Sequence, residues 1–80
     1  MIPVSVCVPL SPKRRLLFDL LIHPQIIRND PAQIIIDDGP GNANEKRNRA
    51  SAQATEPYLF FCDDDVILES YALERMYQAF

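Results

Sequence analysis

The sequence predicts an α/β fold in which three strands alternate with three helices in the order βαβαβα. Largely apolar runs at 4–8, 33–37 and 58–62 have the pattern of strands, and the first has that of a strand buried on both faces. Each run is followed by a stretch with helical spacing or helix-favouring composition. The distances between runs suit crossovers between parallel strands, so we expect a parallel sheet covered by helices.

The first strand, VSVCV, ends at Pro9, and a helix is expected to begin at Ser11-Pro12. Serine is a good helix cap, and proline is favoured at the first helical position. Leucines then recur at helical spacing, at positions 16, 17, 20 and 21. We expect His23-Pro24 to end this helix, with the stretch 25–31 open to one further turn before the second strand.

The second half of the chain begins with the loop DDGPGN, a typical glycine and proline turn cluster. Asn42 and Glu45 form a capping-box pattern that predicts the start of the second helix, and Glu56-Pro57 predicts its end. The third strand, YLFFC, leads into Asp63. Ser70 is expected to cap the last helix, whose predicted apolar face consists of Leu73, Met76, Tyr77 and Phe80.

Composition indicates one small globular domain. The chain has 80 residues, of which 48% are hydrophobic and 24% charged, with a net charge of −3. Cys7 and Cys62 lie in apolar runs and are predicted to be buried free thiols. The N-terminus matches neither a leader nor a transmembrane segment, so the cytoplasm is the expected location. The basic residues form no stripe with aromatics, which gives little support to nucleic-acid binding.

Acidic residues follow two of the predicted strands. Asp37 and Asp38 come after the second strand, and Asp63, Asp64 and Asp65 come after the third. Ligands of open parallel sheets bind beyond the carboxyl ends of the strands, so five carboxylates are expected at one rim. Such a group needs a counter-charge, and Mg²⁺ or Mn²⁺ together with a substrate diphosphate would supply it.

Residue spacing suggests how the acids of the third strand divide their roles. If the strand conformation persists, Asp63 and Asp65 point the same way and share the metal, while Asp64 is free for a ribose hydroxyl. Simpler interpretations remain open at this stage. The acidic run could be a solvated loop, Asp37-Asp38-Gly39 could form an Asx turn, and Arg47 could be a helix residue paired with a nearby acid.

Taken in order, the strand VSVCVP, the segment IIIDDGPGN and the segment EKRNRASAQATEPYLFFCDDD resemble the family 2 glycosyltransferases of the GT-A fold. The resemblance covers nearly the whole chain and lies in the order and spacing of the blocks. It implies a Rossmann-like sheet that forms the N-terminal half of a GT-A fold. It also implies a glycosyltransferase that uses Mg²⁺ or Mn²⁺ and takes a nucleoside-diphosphate sugar, with a UDP-sugar as the expected donor.

The resemblance also assigns roles to individual residues. Asp38 would bind the nucleotide base, Arg47 would approach the nucleotide, and Pro9 would end the strand beside them. Within the DxD-like segment 63–65, Asp64 would contact the ribose and Asp63 and Asp65 would hold the metal. Asp65 is the strongest candidate for a metal ligand.

The chain also departs from that family. Leu10-Ser11-Pro12 stands where the family has an aromatic residue that stacks on the base, and Pro40 replaces the usual serine after DDG. The family's acceptor-binding region and general base lie on a later segment. Residues 1–80 are therefore expected to be a partial nucleotide-sugar-binding domain, truncated at the C-terminus, with no assignable catalytic base.

Other classes of protein fit parts of the pattern. A haloacid dehalogenase-like phosphohydrolase would use Asp63 as nucleophile and Asp65 as acid and base. A receiver-type signalling domain also gathers acids at strand ends, although with different spacing. A third possibility is a non-catalytic remnant that binds metal and nucleotide weakly.

The resemblance to the transferases makes one topological prediction. It implies the strand order 3-2-1, in which the second strand separates Cys7 from Cys62. Two strand steps of about 4.8 Å would place these cysteines about 10 Å apart, too far for a disulfide.

Overall fold

A computed structural model describes residues 1–79. The strands are β1 (Ile2–Pro9), β2 (Pro31–Asp37) and β3 (Tyr58–Phe61), and the α-helices are α1 (Arg15–Leu17), α2 (His23–Arg28), α3 (Ala43–Ala52) and α4 (Ala72–Gln78). A 3₁₀ turn at Pro12–Arg14 precedes α1, and a π-helical turn at Phe18–Ile22 joins α1 to α2. These pieces form one continuous helical stretch, residues 12–28, called here the N-terminal helical segment.

The N-terminal helical segment continues through Pro24, so the prediction that His23-Pro24 ends it was wrong. Proline has no N–H to donate, and its ring crowds the carbonyl one turn earlier. The chain passes this position by widening into the π turn, in which the His23 N–H donates to the Phe18 carbonyl. Helix then resumes and runs to Arg28.

The sheet is parallel with the order β2-β1-β3, which corrects the predicted order 3-2-1. Cys7 of β1 is aligned with Ile35 of β2 on one side and with Phe61 of β3 on the other. All six residues from Val4 to Pro9 are buried. The central position suits β1, because buried N–H and C=O groups need partners on both edges of a strand.

The two faces of β1 bury different side chains, as expected for alternation along a strand. On one face, Val4, Val6 and Val8 pack in the main core with the N-terminal helical segment and α4. On the other face, Cys7 packs with Ile35 and with Ala50 of α3. The sheet therefore has helices on both faces, and its strand order reverses between β1 and β3.

Both cysteines are buried and free, as predicted, but their predicted separation was wrong. Because β3 lies beside β1, the Cys62 N–H donates to the Cys7 carbonyl at 3.0 Å. Their side chains enter different clusters, on opposite faces of the sheet. Burial raises the pKa of Cys62 to about 11, with smaller contributions from nearby aspartates, and burial also raises that of Cys7. Both thiols are therefore protonated and unreactive at neutral pH.

Helix α4 is fixed by a residue far away in sequence. The buried Asn29 side chain donates to the carbonyls of Gln25 and Glu69 and accepts the Leu73 N–H at 3.0 Å. The predicted cap at Ser70 was wrong, because the helix starts after Tyr71, which has a left-handed backbone and makes no side-chain cap.

The predicted apolar face of α4 is confirmed as far as the structure describes it. Leu73 is buried, and Met76 and Tyr77 pack against the core. Phe80 lies outside the described residues. Within residues 1–79, every helix is too short or too polar to cross a bilayer.

Helix α3 begins as predicted. Asn42 accepts the Glu45 N–H at 2.9 Å, and Glu45 accepts the Asn42 N–H at 3.1 Å, which completes the capping box. Gly41 precedes the cap with φ +103°, a conformation that favours glycine. A Cβ at this position would come within 2.9 Å of the Glu45 side chain.

Candidate functional site

A cleft of about 490 Å³ lies at the carboxyl ends of β1 and β3 and at the start of α3. The lining residues are Pro9, Ser11, Pro12, Gly41, Asn42, Ala43, Lys46, Arg47, Asp63, Asp64 and Asp65. Open parallel sheets bind ligands at such a position, where the strand order reverses. The corrected strand order thus brings the loop after β1 next to the acidic loop after β3.

Each aspartate of the acidic loop has a different partner. Asp63 accepts a hydrogen bond from Arg47 at 2.7 Å, and Asp64 accepts the Ser11 N–H at 2.8 Å. The Asp65 carboxylate lies 3.7 Å from the guanidinium of Arg14. The loop is therefore tied to both α3 and the start of the N-terminal helical segment.

The predicted division of roles among the aspartates assumed that the strand continues through residues 63–65, and this assumption does not hold. The strand ends at Phe61, and a turn includes Asp64 and Asp65, so the alternation assumed for a continuing strand does not apply. Asp63 and Asp65 reach partners on different elements. One carboxylate oxygen of Asp64 binds backbone, so this side chain is not fully free for a ribose hydroxyl.

Basic groups line the same cleft. Lys46 is buried, and its ammonium donates to the Leu10 carbonyl at 2.7 Å. Arg47 is the next residue of α3, and its guanidinium is about one-third exposed. The N-terminal end of α3 adds N–H groups and the positive end of the helix dipole, which favour anions. The cleft therefore combines carboxylates with groups that bind phosphate.

The acids after β2 occupy a different environment. Asp37 accepts two hydrogen bonds from Arg49, both at 2.9 Å, and also the Gly39 N–H at 3.0 Å. The last bond is an Asx turn, which confirms the simpler interpretation for Asp37. Hydrogen bonding to Arg49 holds the pKa of the Asp37 carboxyl below its ordinary value. Asp37 is thus a structural residue.

Asp38 lies apart from the aspartates of the cleft. Its side chain is 65% exposed and pairs with Arg15 at 3.1 Å. It is absent from the cleft lining, so the structure does not bring all five carboxylates together as predicted. Arginines pair with Asp37, Asp38, Asp63 and Asp65 and so contribute positive charge at this rim.

Asp63 and Asp65 fit a divalent cation only together with a further ligand. No cluster of three or more acidic, histidine or cysteine side chains arranged for a metal occurs among residues 1–79. Two carboxylates are nevertheless what Mg²⁺ commonly takes from a protein when water and substrate phosphates complete its shell. The donor set is therefore suited to a metal that arrives with a diphosphate.

Sequence reasoning missed Lys46, the buried cation of the cleft. The signal was present in the capping box, because a helix that begins after Asn42 places residues 46 and 47 within its first turn and a half. A basic pair at this point of a helix lies close to whatever binds at the helix start.

Comparison with protein-family models, with curated proteins and with solved structures finds no match to this chain. The function proposed below therefore depends on the cleft and on the sequence blocks.

Proposed function

We propose that the chain is the nucleotide-sugar-binding part of a GT-A-type glycosyltransferase, which takes a nucleoside-diphosphate sugar together with Mg²⁺ or Mn²⁺. The observation that carries the proposal is the composition of the cleft. It is lined by Asp63, Asp64 and Asp65 and also by Lys46, Arg47 and the start of α3. A metal-diphosphate ligand carries charge of both signs, so it needs both kinds of partner.

Each side of the cleft has a role in this proposal. Asp63 and Asp65 would hold the cation, which neutralises charge on the departing nucleoside diphosphate. Arg47 would exchange its carboxylate partner for a phosphate oxygen, and Lys46 would add a fixed positive charge nearby. Asp64 and Pro9 also line the cleft, and by the family resemblance they would contact the ribose side of the nucleotide.

Asp38 is the weakest member of the proposed site. The resemblance makes it the residue that binds the base, while its side chain is exposed and paired with Arg15 outside the cleft lining. A base that reaches Asp38 would have to extend past the rim of the cleft. We therefore base the proposal on the residues that line the cleft.

The cytoplasm is the proposed location, because the two buried thiols favour a reducing compartment.

The first test is the binding of UDP by isothermal titration calorimetry, with and without MnCl₂. We expect Mn²⁺ to tighten binding at least tenfold, about 1.4 kcal/mol, and Asp65→Ala to remove this metal dependence. Glu74→Gln, an exposed acid on α4, is the control and should retain it. Equal binding with and without Mn²⁺ in the wild type would contradict the proposal.

A second measurement separates the phosphohydrolase alternative. Hydrolysis of a small phosphate ester with a covalent phosphate on Asp63 would support that class, since its chemistry uses Asp63 as nucleophile. The transferase proposal predicts that no such phosphoenzyme forms. Intact-protein mass spectrometry after incubation with the ester distinguishes the two.

A further inference from the structure

The N-terminal helical segment exposes a row of large apolar side chains away from the cleft. Leu16, Leu20 and Ile27 are 72%, 65% and 57% exposed. Leu16 and Leu20 are one turn apart, Ile27 lies beyond the π turn, and all three point away from the core, with the exposed Leu17 and Leu21 next to them. We call these five residues the leucine face.

The opposite side of the same segment supplies the core. Phe18, Ile22 and Ile26 are fully or almost fully buried against β1. The segment is therefore apolar on two sides, and folding of the described chain buries only one of them. A contiguous exposed apolar row of this kind marks an interaction surface.

A basic side chain without an ion pair to the described residues lies toward each end of the leucine face. Residues 12–28 contain Lys13, Arg14, Arg15 and Arg28 with Asp19 as the sole acid, whereas the whole chain has a net charge of −3. Arg14 and Arg15 pair with acids. The exposed side chains of Lys13 and Arg28 make no ion pair with any described residue.

We propose that the leucine face and its flanking basic residues dock the protein onto an anionic lipid surface. An amphipathic helix with exposed leucines and basic flanks inserts its apolar side at the headgroup boundary, while its lysines and arginines meet anionic headgroups. This inference does not depend on the proposed function, because none of the five residues of the leucine face lines the cleft.

The basic residues that flank the leucine face favour an anionic lipid surface over a second copy of the chain as its partner. Two copies that join through their leucine faces would bring like charges near one another, which disfavours pairing. An anionic bilayer offers the complementary charge. The rest of the chain is acidic, so a negative surface attracts the N-terminal helical segment and repels the remainder, which fixes the orientation of docking.

Docking would also orient the cleft. Pro12 begins the N-terminal helical segment and lines the cleft, and Lys13 follows it directly. Because the segment is about 25 Å long, it would lie along the surface with one end beside the cleft.

The test is cosedimentation of the protein with vesicles of phosphatidylcholine alone or of a three-to-one mixture with phosphatidylglycerol. We expect binding to the anionic vesicles at least tenfold tighter than to the neutral ones, and weaker at high salt. Lys13→Gln should weaken binding roughly fivefold, because one basic residue near the surface contributes about that factor. The double variant Leu16→Glu with Leu20→Glu should abolish binding.

The matched control is Leu59→Glu, which changes an exposed leucine on the opposite face of the sheet. It should bind anionic vesicles like the wild type. Circular dichroism confirms that each variant is folded. Equal binding by Leu59→Glu and the double variant would overturn the proposal, as would no binding by the wild type. Self-association that the double variant removes, without vesicle binding, would assign the face to a second copy and also overturn it.

Discussion

Asp37 follows β2 and Asp63 follows β3, yet the side chain of the first is 9% exposed and that of the second is 52% exposed. Arg49 binds both oxygens of Asp37, and the loop backbone binds one of them as well. Asp63 has a single arginine partner inside an open cleft. The carboxylate after β2 stabilises a turn, while the one after β3 is accessible to a ligand.

The difference arises from the loop that follows each strand. After β2 the chain turns within a few residues into α3, and Arg49 on that helix reaches back to the turn. After β3 a loop of about ten residues precedes α4, so the acids there remain open to solvent. The short connection to α3 lets Arg49 bind Asp37, whereas the longer loop after β3 leaves Asp63 accessible to a ligand.

The largest loss of stability is expected from a substitution of Asp37, the carboxylate that follows β2. Asp37→Asn preserves the shape of the side chain but removes its charge, so the bidentate pair with Arg49 is lost. We expect the melting temperature to fall by on the order of 10 °C. Thermal denaturation followed by circular dichroism measures it.

The matched control makes the same substitution at Asp63. The pair with Arg47 is half exposed, and surface pairs contribute little to stability, so the melting temperature should fall by less than about 3 °C. Equal falls in melting temperature for the two variants would show that Asp37 and Asp63 contribute equally to stability, which contradicts the comparison.

The pH dependence of stability should test the Asp37–Arg49 pair independently. The folded-state pKa of Asp37 lies below its ordinary value of 3.8, so the unfolded chain binds more protons as pH falls toward that range. The stabilisation is complete above the ordinary pKa and is lost as pH falls through the lowered one. The stability gap between wild type and Asp37→Asn should therefore close below about pH 4 in urea titrations. A gap that persists at lower pH would exclude this charge effect.

A further loss of stability, smaller than that at Asp37, is expected in the loop that follows Asp37. Gly41→Ala forces a side chain into a left-handed conformation and against Glu45, so we expect a fall in melting temperature of about 5 °C. Gly39→Ala is the control. Its backbone has no positive φ, so alanine there adds only the approach of its Cβ to the Arg49 guanidinium, at 3.1 Å, and should cost less. A larger loss at Gly39 would contradict this account of the loop.

Local patterns predicted the elements well. The three strands, the capping box at Asn42 and the burial of both cysteines are confirmed because each depends on neighbouring residues in the chain. The π turn that carries the helix past Pro24 was not predicted, since packing of Ile26 in the core favours continuing the helix. Ile26 packs in the same core cluster as the valines of β1, which are far from it in sequence.

The arrangement of strands and acids was less accessible from sequence. Strands β1 and β2 are both strongly apolar. Their composition therefore does not say which of them lies in the centre of the sheet with a neighbour on each side. The partners of the aspartates likewise depend on arginines brought in by folding, as Arg14 is to Asp65. The acidic run 63–65 does lie at the carboxyl end of the sheet as predicted, but the separation of Asp38 from it was not foreseen.

The clamp that Asn29 makes on α4 has a consequence for the order of folding. A helix of seven residues is too short to persist by itself in water. Its first turn receives a cap only when Asn29, 44 residues before Leu73, is already in place. We therefore expect helix α4 to form after the N-terminal helical segment has docked on β1 and to show the fastest amide hydrogen exchange of the helices that pack on the main core.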